Sequence, residues 1–311
     1  EMDRIFESYG ELVPLMQDYY RSEHAQGSDI GDLAYRQTIR AKAFDAVRGL
    51  LPAASLSNVG IYGTGQAYEG LLLRMRAHPL PEARSYADLM LLELRKVIPS
   101  FLRRVDVAER GVAWSRYLEA NQSAMREFAE LLTKDIPTNP APEVDLIDWD
   151  PDGERKMLAA MLYPYTQLPE TQLVDLVDDM TSDQRLDLVR RYVGERGNRR
   201  HRPGRALERL DYRFDILGDY GGFRDLQRHR LLTIEWQSLT PNHGYETPEA
   251  VIRAGLGERY SGVMERSRSL YELLLQDFPD RAGYAVAMAF RVRYIMQFNA
   301  REALHMIELR S

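Results

Sequence analysis

The chain has 311 residues, 44% of them hydrophobic and 28% charged, with a formal net charge of -6. That length buries a sizeable core in one or two domains, and the mild acidity argues against a general nucleic-acid binder, which carries net positive charge. There is no cysteine, which excludes disulfides, thiolate nucleophiles and cysteine-ligated zinc; no apolar run approaches the ~18 residues of a membrane span and no signal-peptide pattern opens the chain, which together fit a cytoplasmic protein.

Lys42, Lys96, Lys134 and Lys156 are the only lysines, so the positive charge is almost all arginine. Arginine forks suit phosphate and carboxylate, and a GC-rich genome gives the same bias. The chain opens on Glu1 and closes on "IELRS" inside an apolar-periodic stretch, so both ends read as cut from a longer chain.

Ile5, Phe6, Tyr9, Leu12, Val13 and Met16 predict an amphipathic helix over 3–22. A second helix covers 31–50 and stops at Pro52, and Val59 to Tyr62 reads as a short strand before the helical "GQAYEGLLLRMRA". Helices follow at 81–97 and 107–134, and "DIPTNPAPE" (135–143), with its three prolines, is a linker. "VDLIDWD" then reads as a strand, with helices at 151–163 and 181–194 and a basic Gly/Pro-punctuated loop, "RGNRRHRPGR", at 196–205. "RLDYRFDIL" alternates, with Leu210, Tyr212, Phe214 and Ile216 on one face, the pattern of a half-buried antiparallel strand. "GGFRDLQRHR" is a short helix entered through glycines, 257–277 a long helix, and "FRVRYIMQF" (290–298) a strand. "NAREALHMIELRS" is a final helix in which Asn299 and Glu302 form a capping box. "ELVPLMQDYY" near the start parallels "YELLLQDF" at 271–278, so the chain reads as two copies of one unit, the first without its front and the second without its back.

Three basic constellations stand out. Arg228, His229 and Arg230 are consecutive, so they converge on one ligand only if the helix ends there and a strand begins at Leu231. Arg301 and His305 share a helix face at i and i+4, with Arg310 further along. Arg199, Arg200, His201, Arg202 and Arg205 crowd the 196–205 loop, where RNA or phosphate could bind. Each has a plainer reading as a solvated cationic surface, and spacing alone leaves both readings open. The acidic run "DLVDDMTSD" (175–183) has no metal-ligand spacing, and the histidines are too scattered in sequence for a zinc site, so no metal is expected. No P-loop or GxGxxG is present, and no residue is assigned a catalytic role.

Together these segments resemble the flavin-dependent thymidylate synthases. "RHRLLTIEWQS" has the form Arg-His-Arg, seven residues, Ser; "RPGRALERL", with Glu208, precedes the strand; "FRDLQRHR" leads into the signature; and "NAREALHMIELR" is close to the family's Asn-Ala-Arg helix. In the first half, "VRGLLP" and "GTGQAYEGLLLRMRA" stand where the family has an arginine before Leu-Pro and the Asn-Ala-Arg helix. The resemblance covers most of 3–105 and 143–311 and implies an α+β fold, an antiparallel sheet flanked by helices, in two pseudo-repeats. Residues 1–135 would be the back part of a first unit plus a connecting helix, and 143–311 a second unit lacking its last helices. It implies a homo-oligomer whose sites draw on several subunits. FAD would be held by Arg228, His229, Arg230, Asn299, Arg301 and His305, and dUMP by Ser238, Gln237, Arg310 and Arg48. The implied reaction is reductive methylation of dUMP to dTMP, with methylenetetrahydrofolate as carbon donor, reduced flavin as hydride source and NADPH supplying electrons.

This sequence departs from the pattern on the substrate side. Thr240, followed by Pro241, replaces an arginine two residues after Ser238; Trp236 stands at a Glu/Gln position; Asp225 replaces a Gln. The second copy has Gly283 where the first keeps Arg48, and the first has Thr64 and Gln66 in place of the Asn and Arg. Two expectations follow: complementary copies, the first supplying Arg48 to the second, or a degenerate, non-catalytic relative that binds flavin or nucleotide or serves as a structural or regulatory partner.

Overall fold

In the computed structural model, which describes residues 1–310, the first helix, α1 (Met2–Glu23), buries Ile5, Leu12, Val13 and Met16. Those spacings of seven, eight and eleven residues put the four on one stripe. The stripe packs against α2 (Asp32–Val47), which buries Ile39, Ala43, Ala46 and Val47 and tightens into a 3-10 turn at Arg48–Leu50. The chain forms two compact units, one of Glu1–Ala53, Ala141–Ser269 and the residues from Ala285 on, the other of Ala54–Pro140 and Leu270–Tyr284.

The second unit holds α3 (Gly65–Arg76), α4 (Pro81–Leu94), the short α5 (Pro99–Leu102) and α6 (Ala113–Thr133). Leu72, Leu73, Ala87, Leu91, Leu102 and Val105 form its core. Gly111 sits in a π-helical turn before α6 because the chain passes too close for a side chain: a Cβ there would lie 2.1 Å from the Val105 carbonyl oxygen. The strand expected at 59–62 is absent. Tyr62 is fully exposed, Val59 is 75% exposed, and no strand among the described residues pairs with the segment, so β-propensity has no ladder to join.

The first unit contains one sheet of four antiparallel strands in the order β1-β2-β4-β3. After the linker come β1 (Val144–Trp149), α7 (Gly153–Leu162), α8 (Glu170–Asp178) and α9 (Ser182–Val193), and then β2 (Asp211–Asp219) leads straight into α10 (Tyr220–Leu226). β3 (Leu232–Trp236) follows, then α11 (Glu249–Arg253) and α12 (Gly257–Asp277); α12 from Leu270 on and α13 (Pro279–Ala282) belong to the second unit, and β4 (Arg291–Asn299) and α14 (Ala300–Arg310) to the first. α8 was not expected from the sequence; Leu173 and Val177, at helical spacing after Pro169, bury it against α7.

β2 and β4 pair over nine residues, from Asp211 opposite Asn299 to Asp219 opposite Arg291. The face expected from β2 continues across the sheet: Phe214 and Ile216 stand opposite Met296 and Tyr294 of β4, and Val292, Tyr294 and Met296 are buried with Phe223 of α10 and Met306 of α14 on one face of the sheet, while β2 itself is only partly buried along its length. Arg293 and Asp215, 3.0 Å apart, form a cross-strand ion pair on the other. The stacked rings of Phe214 and Phe298, 5.5 Å apart, extend the first face toward the end of the sheet where α14 begins.

Phe223 anchors this arrangement. It is 1% exposed and sits 4.7 Å, ring to ring, from Tyr294. Replacing it by alanine is expected to cost ~3–5 kcal/mol in urea unfolding; a cost below ~1 kcal/mol would mean that α10 is not held by this face.

Candidate functional site

The basic loop, the α10–β3 turn and α14 meet at one end of the sheet. Tyr192 of α9 positions the loop: its hydroxyl accepts a hydrogen bond from Ala206 N at 3.0 Å. Gly204 leaves room for it, since a Cβ there would lie 2.1 Å from that oxygen. The 3-10 turn Arg205–Arg209 then presents Glu208, whose carboxylate accepts from Arg205 (2.9 Å) and from Arg301 Nη1 (2.9 Å). Arg301 Nε also donates to the Pro203 carbonyl at 3.0 Å, so the first turn of α14 is clamped to the loop.

Between these elements lies a cavity of about 600 Å³, and Asn299, Arg301 and His305 line it along with Arg202, Glu208 and Glu302. A neighbouring recess of about 380 Å³ shares Arg202 and His305 and adds Arg199 and Arg200. Most cationic groups here are occupied. Arg196 bonds Glu308, and Arg205 and Arg301 share Glu208. The side chains of Arg199, Arg200 and Arg202 make no ion pair among the described residues. The cavity therefore has both an internally neutralised part and an uncompensated cationic rim.

The three consecutive residues Arg228, His229 and Arg230 sit where α10 ends, as the sequence required, but they diverge. Arg228 is exposed and paired with Asp225 at 2.8 Å, and Arg230 is exposed. His229 turns inward. Its ring is buried, and Nδ1 lies 3.0 Å from Glu302 Oε1. Glu302 is itself only 4% exposed, and the same oxygen lies 3.5 Å from His305 Nδ1. The expected capping box is half formed. Glu302 N donates to Asn299 Oδ1 at 3.0 Å, while the carboxylate goes to His229. His229 and His305, far apart in sequence, stand with ring centres 5.7 Å apart, so the histidines are not scattered in space.

Asp225 joins two more expected residues. Arg310 Nη2 donates to its backbone carbonyl at 2.8 Å, and Arg310 Nη1 lies 3.6 Å from its carboxylate, which also holds Arg228. The carboxylate that looks out of place beside a phosphate site neutralises two arginines. Gln237 and Ser238 are exposed and lie at the far end of β3, where Gln237 N bonds the Arg293 carbonyl at 3.0 Å. From Leu232, in the cavity wall, to Ser238 is six residues of extended chain, ~20 Å. Arg48 lies elsewhere in the same unit, in a cavity of about 440 Å³ lined also by Gly218, Asp219, Tyr260 and Arg291, where Asp45 approaches it at 3.5 Å. The single chain thus gathers Asn299, Arg301, His305 and, behind Glu302, His229; it does not bring Ser238, Gln237 or Arg48 to them.

Residues 145–311 match the family model described as thymidylate synthase complementing protein. The chain belongs to that family. Two curated relatives, each named UPF0159 protein, align over nearly all of it: one from Chlamydia pneumoniae is 37% identical over 99% of this chain and 58% of its own length. One from Thermoplasma acidophilum is 28% identical over 94% of this chain and 57% of its own length. The chain thus spans somewhat more than half the length of these relatives. Among solved structures, it is similar to a Helicobacter pylori flavin-dependent thymidylate synthase complexed with FAD and dUMP, at 21% identity and a TM-score of 0.39, over 55% of this chain and 84% of that one. It is also similar to a UMP/dUMP methylase, PolB, from Streptomyces cacaoi, at 14% identity and a TM-score of 0.40, over 53% of this chain and 76% of that one. No helix among the described residues is long and apolar enough to cross a membrane.

Within this member of the family, Glu208 should give a pH signature. Its carboxyl is held below the ordinary 4.5 by the Arg205 hydrogen bond first, with desolvation opposing and the Arg205 and Arg301 charges adding. A depressed folded-state value means stabilisation that is complete above the unfolded value and lost as pH falls through the folded one. The unfolding free energy of the wild type should therefore exceed that of Glu208→Gln by its full margin near neutral pH, and the margin should close in acid. A margin that stays constant into strong acid would contradict the pairing.

Proposed function

We propose that this chain is the flavin-holding part of an FAD-dependent thymidylate synthase-like protein that methylates dUMP reductively to dTMP. One observation carries the reading: Asn299, Arg301 and His305 converge on a single cavity that Arg202 also lines, and the adjoining recess adds Arg199 and Arg200, none of these three in an ion pair among the described residues. That donor set fits a flavin dinucleotide. Arginine forks suit its diphosphate, and a carboxamide and an imidazole suit ring heteroatoms. Asn299, Arg301 and His305 would hold the cofactor from the wall, Arg228 and Arg230 from the turn that enters the wall at Leu231, and His229 by fixing Glu302 from behind. When bound, flavin supplies the hydride and NADPH its electrons, with methylenetetrahydrofolate as carbon donor. Arg310 and Asp225 set the geometry beside Arg228, where the phosphate of dUMP would exchange for a carboxylate. A cytoplasmic homo-oligomer belongs to the same reading, because Ser238 and Gln237 can meet the flavin residues only across subunits or copies.

The tandem arrangement, 1–135 as the back part of one copy and 143–311 as a second, is part of the proposal. Aligning Arg48 with Gly283 aligns Pro52 with Ala287, and these two form an antiparallel bridge with each other. The bonds around it repeat: Ala53 N donates to Val286 O and Met288 N to Leu51 O, both at 2.9 Å. A residue paired with its own counterpart, with reciprocal bonds on either side, is what a local two-fold axis produces. Arg48 would then serve the nucleotide from the first copy. Loss of dUMP binding in Arg48→Ala supports this, and unchanged binding sinks it.

A second reading has its own support. Arg196, Arg205, Arg301, Arg228 and Arg310 all carry carboxylate partners. Thr240 and Pro241 replace the expected arginine beside Ser238. A degenerate homologue that binds flavin or nucleotide without turnover, or serves as a structural or regulatory partner, would look like this.

Arg202 gives the cleanest test of the flavin site, because its side chain has no ion pair to lose. Arg202→Ala should leave the melting temperature unchanged and weaken FAD binding ~10-fold, and Arg301→Ala ~10–100-fold, in flavin fluorescence titrations. FAD affinity equal to wild type in both variants would contradict the assignment.

A further inference from the structure

We propose that His229, Glu302 and His305 form a binding site for a divalent transition metal of the zinc and iron(II) class. The site shares His229, Glu302 and His305 with the flavin reading but does not rest on it. The starting observation is Glu302. It is a carboxylate with 4% exposure, and its only side-chain partners among the described residues are two imidazoles, with no arginine or lysine. A buried anion needs a cation or a dense set of donors, and here it has at most two N–H groups.

Two of the three ligand–ligand distances match ligation. A metal bound to nitrogen and oxygen at ~2.0–2.2 Å holds neighbouring ligand atoms ~3.0 Å apart at right angles and ~3.4 Å apart at tetrahedral angles. Glu302 Oε1 lies 3.0 Å from His229 Nδ1 and 3.5 Å from His305 Nδ1, and the three ligand atoms fall within 4.8 Å of one another. Glu302 and His305 are three apart on α14, hence on one face, and His229 is delivered by the α10–β3 turn.

Two imidazoles and one carboxylate suit zinc, iron(II), cobalt or nickel and not magnesium or calcium, which take oxygen. Three protein ligands leave coordination positions open, and Glu302 and His305 both line the 600 Å³ cavity, so those positions face it. Ligation would replace the contacts between the carboxylate and the rings, and the bound metal would supply the positive charge that Glu302 lacks.

The test is calorimetric titration of the EDTA-treated, flavin-free chain with Zn(II) and, separately, Mg(II). The expected result is one equivalent of Zn(II) per chain, no Mg(II) binding, and a loss of at least ~100-fold in Zn(II) affinity in both Glu302→Gln and His305→Asn. Circular dichroism reports folding of the variants, and His305, which is only half-buried, gives a substitution that the fold tolerates. Failure of the intact chain to take up Zn(II), or Zn(II) affinity unchanged in a folded His305→Asn variant, overturns the proposal. FAD affinity is measured apart, so loss of the flavin reading with Zn(II) binding intact leaves this site standing.

Discussion

The hydrogen bond between His229 and Glu302 ties the site together. It joins the turn after α10 to the first turn of α14, two segments separated by 73 residues, in a place from which water is excluded. A buried pair of this kind is costly to break from one side, because the remaining partner is left desolvated. It also fixes the direction of α14, and with it Arg301 against Glu208 and Arg310 against Asp225. Lose the pair and the cavity loses one wall.

Most arginines around that cavity are already paired with carboxylates. Arginine side chains are held by Glu208, Glu308 and Asp225, which prevents self-repulsion in the unliganded protein. Under the proposed function, a phosphate would have to compete with those carboxylates, so its affinity would be the difference between two charge-assisted sets of bonds and smaller than the number of arginines implies. The unpaired Arg199, Arg200 and Arg202 are different: they have nothing to give up, and they ring the recess that adjoins His305.

Much of this was legible in the sequence, and the exceptions share a cause. Alternation placed β2 and the face it turns to the core, because a two-residue period is a local signal. The helix boundaries around 257–277 and 300–310 were equally local. The predicted strand at 59–62 failed because a strand depends on a partner that the segment itself cannot supply. α8 was missed although Leu173 and Val177 carry its period. Glu302 is the instructive case. Its backbone role beside Asn299 was readable three residues away, but its carboxylate went to a histidine that sequence distance hid. The three neighbours Arg228, His229 and Arg230 were expected to act as one constellation. The turn sends one inward and two outward, and only packing decides which.

The central claim is that the cavity between the basic loop and α14 holds a flavin whose reactive face meets dUMP. The most direct measurement is the visible absorption spectrum of the protein, in its full length, with FAD titrated in and dUMP then added. The account predicts flavin bands that shift on binding and shift again with dUMP. Flavin bands that bind but ignore dUMP would leave only the cofactor half, and no bound flavin at any concentration would contradict the account.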